Sequence, residues 1–68
     1  MTENFKIGDR VKIRLNHADW YEGRVVRIDP YSAHRSFYWV ELDEDAQTAL
    51  GGSVRLISVF NPKNIQAA

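Results

Sequence analysis

Phe37 to Leu42 reads FYWVEL, and the fold turns on how this stretch is read. Phe, Tyr, Trp and Val favour a pleated, half-buried surface, and nothing here supplies the polar face that an amphipathic helix would need. The stretch predicts a central β-strand. A strand has a side-chain period of two, so Tyr38, Val40 and Leu42 share one face while Phe37, Trp39 and Glu41 share the other. Whichever face is buried, aromatic surface remains on its reverse, and that surplus is the first pointer to a binding function.

Upstream, Gly8-Asp9 is a turn signal, after which Arg10-Val11-Lys12-Ile13-Arg14-Leu15 alternates strictly between charged and apolar residues. Val11, Ile13 and Leu15 are expected to face inward, leaving Arg10, Lys12 and Arg14 as a basic row towards solvent. That row serves either as protection of an edge strand or as a stripe for phosphates or an acidic partner. Asn16 to Tyr21 (NHADWY) breaks the alternation and reads as a loop, in which Trp20 and Tyr21 either close the end of a barrel or form a binding shelf. His17 has no neighbours arranged as a catalytic set. Glu22 to Asp29 (EGRVVRID) is the next strand. Its apolar positions Val25, Val26 and Ile28 lose the period of two, which predicts a bulge near Val25-Val26, and Gly23 fits a close backbone approach at the same corner. Pro30 is expected to end the strand, and PYSAHR, with Tyr31 and His34 exposed, to connect it to FYWVEL.

Downstream, Asp43 to Gly52 (DEDAQTALGG) reads as a long turn in which AQTAL forms one helical turn stopped by Gly51. Ser53 to Phe60 (SVRLISVF) is a further strand, with Val54 and Leu56 expected inward and Arg55 and Ile57 outward beside Phe37 and Trp39. Asn61 to Ile65 predicts a 3-10 turn that begins at Pro62 and returns Ile65 to the core. Gln66 to Ala68 reads as a tail and Met1 to Asn4 as a flexible N-terminal leader, so the domain is expected over residues 5–66.

The 68 residues make one domain, and a chain of this length buries only about 60% of its unfolded surface. There is no cysteine, so no disulfide framework and no thiolate metal site, and the two histidines lie 17 residues apart in sequence. No metal or cofactor is expected. The carboxylates at 41, 43, 44 and 45 read as a solvated loop rather than a cation site. No signal peptide or membrane span is legible, which makes cytoplasmic the expected location. Nine basic and nine acidic side chains cancel, which argues against condensation on nucleic acid by bulk charge. Their distribution is uneven: residues 1–40 hold seven Lys/Arg against five Asp/Glu, and residues 41–68 hold two against four.

The GD turn opening the first strand, the loop before Glu22-Gly23, the aromatic third strand and the final proline-containing turn together resemble the SH3-like barrel group, which includes KOW and Tudor modules. The resemblance spans about residues 5 to 65 and implies an all-β barrel of about five strands with a short 3-10 turn before the last. Two narrower likenesses run beside it. Gly8-Asp9-Arg10-Val11, Trp20 with Gly23, Tyr38-x-Val40 and Gly52-Ser53-Val54-Arg55-Leu56-Ile57 are similar in order and spacing to the type II plasmid dihydrofolate reductases, whose pore is built from four barrels. Here Arg55 and Ile57 stand where that family carries a glutamine and a tyrosine, which removes the groups on which the pore depends. Val11-Lys12-Ile13 followed by Trp20-Tyr21 is similar to the peripheral stromal barrel subunit of photosystem I, and that likeness implies steering of an acidic partner by Arg10, Lys12 and Arg14.

The leading expectation is a non-catalytic binding module. Phe37, Trp39, Arg55 and Ile57, with Trp20 and Tyr21, would contact a protein partner beside the basic row. The alternative is an RNA- or ribosome-associated module, with bases stacked on Trp20, Tyr21 or Trp39 and phosphates neutralised by Arg10, Lys12, Arg14, Arg24 and Arg27. A tetrameric reductase is the remote alternative, and self-association is compatible with each reading.

Overall fold

The computed structural model describes residues 5–15, 19–33 and 35–68. His17 and His34 lie outside them, as does the expected leader. Five antiparallel strands form one sheet: β1 (Arg10–Arg14), β2 (Trp20–Ser32), β3 (Arg35–Leu42), β4 (Leu56–Val59) and β5 (Ile65–Ala67), in the order β4-β3-β2-β1-β5. A short helix, α1 (Glu44–Ala49), joins β3 to β4, and a 3-10 turn (Pro62–Asn64) precedes β5. The fold is mostly β, as the alternating pattern predicts. Its ladder ends at β4 on one side and β5 on the other. Among the described residues no helix is long and apolar enough to cross a membrane.

β1 alternates as its sequence demands. Val11 and Ile13 are fully buried, and they join Phe5, Val25, Val40, Leu42, Ala46, Val59 and Ile65 in one core that holds no buried polar residue among those described. The turn before β1 is closed by the Asp9 amide donating to the Lys6 carbonyl (3.0 Å) and the Lys6 amide donating to the Asp9 carboxylate (2.9 Å). Gly8, at φ +96°, occupies the left-handed position that this turn requires.

β2 is the middle strand of the sheet, with FYWVEL running beside it as an interior strand. It is longer than expected at both ends. Trp20 and Tyr21 belong to the strand rather than to a loop, because they pair with Arg14 and Ile13 and so complete the β1–β2 hairpin. Pro30 does not end the strand. It lies opposite Ser36 beside a register shift between Pro30 and Ser32, the kind of ladder irregularity that accommodates a missing N–H. The expected bulge is present: Val25 pairs with Val40 and Arg27 with Trp39, so Val26 is the extra residue and is 39% exposed. Gly23 is packed so closely against β3 that a Cβ there would stand 2.4 Å from the Glu41 carbonyl oxygen.

β4 differs most from its expected form. It is shorter, and its inward residues are Ile57 and Val59, whereas Val54 and Leu56 are exposed. The Leu42 amide donates to the Arg55 carbonyl at 2.9 Å, and that bond fixes the register in which Ile57 lies opposite buried Val40. The helix starts at Glu44, ahead of the AQTAL segment. Its end is closed by the Gly52 amide on the Gln47 carbonyl (2.7 Å), with Gly51 and Gly52 both at positive φ. Gln66 and Ala67 are not a tail, since β5 pairs along β1 and places Ile65 opposite Ile13.

Candidate functional site

The face of β2, β3 and β4 turned away from the core carries most of the surplus aromatic surface. Cross-strand register places Arg27, Trp39 and Ser58 in one row, and Arg24, Glu41 and Leu56 in the next. Asp29 stands opposite Phe37. The Asp29 carboxylate anchors this face with both oxygens: Trp39 Nε1 donates to Oδ2 at 2.9 Å, and Arg27 Nε donates to Oδ1 at 2.9 Å. The Arg27 bond, followed by the Trp39 bond, holds the Asp29 carboxyl below its ordinary pKa. Trp39 is thereby fixed in orientation while still half-exposed.

Next to it lies an aromatic cluster. Phe37 and Phe60 stack with ring centroids 4.7 Å apart, and Tyr31 meets them edge-on at 5.9 and 5.2 Å. The Arg35 guanidinium covers the Phe60 ring at 5.2 Å, although Tyr31 itself remains 69% exposed. Three of these residues, Tyr31, Arg35 and Phe60, carry no role in the reading of the sequence. Their meeting depends on the β2–β3–β4 register, and the only local signal was that Phe37 falls on the same parity as Trp39.

The remaining expected residues divide. Arg55 lies just before β4, its Nε 3.8 Å from Glu41 Oε2. Ile57 is not on this face, because its side chain packs against the core. Trp20 and Tyr21 line a separate open cavity of about 400 Å³ with Glu22, Asp43, Asp45, Ala46 and Ala49.

Of the expected basic residues, Arg10 and Arg27 are paired with carboxylates of the chain itself. Arg10 donates to the Asp43 carboxylate and lies 3.3 Å from Glu22 Oε2, contacts that raise its pKa and lower that of Asp43. Asp43 also feels Arg24, the residue opposite Arg10, so one carboxylate offsets two neighbouring arginines. Lys12 lies between Glu22 and Gln66 in the ladder. Arg14 sits over Trp20 at 5.3 Å, and its buried Nε has no hydrogen-bond partner among the described residues. Among the described residues, no three His, Cys, Asp or Glu side chains are grouped so as to hold a metal ion.

No protein-family model, curated protein or solved structure matches this chain.

Proposed function

We propose that the chain is a non-catalytic binding module of SH3-like type, and that it docks a protein partner on the outer face of β2, β3 and β4. The observation that carries this reading is the fixing of Trp39 by Asp29, beside the half-buried Phe37–Phe60 pair and the exposed Tyr31. A half-exposed tryptophan held in one orientation loses little further freedom when a partner covers it, and aromatic and arginine side chains are the usual anchors at the centre of interfaces. Arg35 covers the Phe60 ring and suits a partner that offers carboxylates at its rim. A protein ligand is favoured over RNA because Arg10 and Arg27 are each already engaged by carboxylates of the chain itself.

The test is capture of partners from the protein's own cell lysate at low salt, comparing wild type with Trp39→Ala and Phe37→Ala, with and without nuclease. The expected result is a defined set of proteins that survives nuclease and is lost in both variants while their circular dichroism stays native. Loss of captured material on nuclease treatment would move the reading to an RNA- or ribosome-bound module. Retention by both variants would overturn the outer face as the docking surface.

A further inference from the structure

The outer edge of β4 ends the sheet, and among the described residues no strand pairs with it. Its residues, Leu-Ile-Ser-Val, include no charge and no proline, and Leu56 is 49% exposed. The opposite edge, β5, is only three residues long and directly follows Pro62, Lys63 and Asn64. Uncharged, unblocked edges are templates for a further strand.

The geometry also fixes what that strand would meet. The Leu42 amide bonds the Arg55 carbonyl, and β4 runs opposite β3 without a register shift. Hydrogen-bonded pairs alternate along an antiparallel ladder, so Arg55, Ile57 and Val59 turn their main-chain groups towards β3, while Leu56 and Ser58 turn theirs outward; Phe60, one residue past the strand, keeps the parity of Ser58, its ring meeting Phe37 on the outer face. Among the described residues, those outward groups make no main-chain bond beyond the β3–β4 ladder. They are centred on Ser58. A second β4 laid antiparallel about a two-fold axis at Ser58 pairs Ser58 with Ser58 and Leu56 with Phe60, and each pair falls on outward-pointing groups of both strands. Leu56 then covers the Phe60 ring of the other copy, and no like charges face one another across the seam.

We propose that β4 pairs antiparallel with β4 of a second copy of this chain, Ser58 on the axis, so that one continuous sheet runs through a homodimer. An isologous contact of this kind closes on itself and stops at two chains. The dimer shares Phe60 with the outer-face reading, yet the two fail separately, because Trp39→Ala leaves the main-chain bonds of the seam intact.

Sedimentation equilibrium over a wide concentration range tests it, with the expected mass rising from the 7.9 kDa of one chain to twice that value. Ser58→Pro removes only outward-pointing N–H groups, so the monomer keeps its β3–β4 ladder while the dissociation constant rises about tenfold or more. Ser58→Lys and Ser58→Glu give a second route: each alone places like charges across the axis and is monomeric, and an equal mixture recovers a heterodimer. A wild-type monomer at every concentration would overturn the proposal. So would a dimer that survives undiminished in the folded Lys and Glu variants, or a mixture of the two that fails to pair.

Discussion

The two faces of the β2–β3–β4 sheet are built from the same strands yet are held by different physics. On the inner face Val25, Val40, Leu42 and Val59 meet Val11, Ile13 and Ile65 with no polar atom among them, so its strength is burial and shape. On the outer face Trp39, Asp29 and Arg27 form a hydrogen-bonded chain beside stacked rings, half-buried apart from the exposed Arg27 and Tyr31. The inner face therefore sets whether the chain folds. The outer face sets what is displayed once it has folded, and its side chains are free to be chosen for recognition.

The contrast breaks most visibly at the core. Ile13→Ala removes a fully buried side chain and is expected to cost about 2–5 kcal/mol. In a domain this small that is a large part of the total stability, so denaturant titration should find the variant substantially unfolded near room temperature. A smaller loss is expected on the other side. Phe37→Ala takes away the stacking with Phe60 and the edge contact with Tyr31, worth about 1 kcal/mol, and its thermal transition should remain cooperative. A loss as large as that of Ile13→Ala would make the outer cluster a second core.

The smallest effect is electrostatic and sharpens the comparison by pH. Asp29 and Asp43 both have folded pKa values below the ordinary 3.8, so their contribution is fully present above that value and is lost as pH falls through the depressed ones. Both groups are exposed to solvent, which keeps the contribution small. Asp29→Asn should flatten part of this acid-side loss, and in a Trp20→Phe background it should remove the acid-dependent change in Trp39 fluorescence. An unchanged acid response in Asp29→Asn would show that the carboxylate does not orient the ring.

Where one period dominates, the fold is readable from the chain. RVKIR alternates without ambiguity, and the lost alternation at Val25-Val26 marks the bulge at its observed place. SVRLISVF was legible as a strand but not in its facing, because apolar residues occupy both parities: Val54 and Leu56 on one, Ile57 and Val59 on the other. The Leu42–Arg55 bond made that choice. Trp20 and Tyr21 look like loop residues from their neighbours in sequence, yet pairing with Arg14 and Ile13 extends the strand through them. The candidate site was legible at Phe37 and Trp39, whose parity is local. Tyr31, Arg35 and Phe60 come to Phe37 through strand register and stacking, and no property of their own segments announces this.

The bulge at Val26 gives β2 a position at which chain length is uncoupled from side-chain facing, as the shift between Pro30 and Ser32 does nearer its end. Val25 and Arg27 already lie opposite the consecutive residues Val40 and Trp39, so deleting Val26 leaves every later residue of the strand on its present side. A one-residue deletion between Arg27 and Asp29 would exchange the faces of the rest of the strand and drive polar groups into the core. Val26 and Tyr31, the extra residues of the two register shifts, are thus the points in the middle strand where the loss of one residue is absorbed, and lineages of this sequence that differ in length within β2 should differ there.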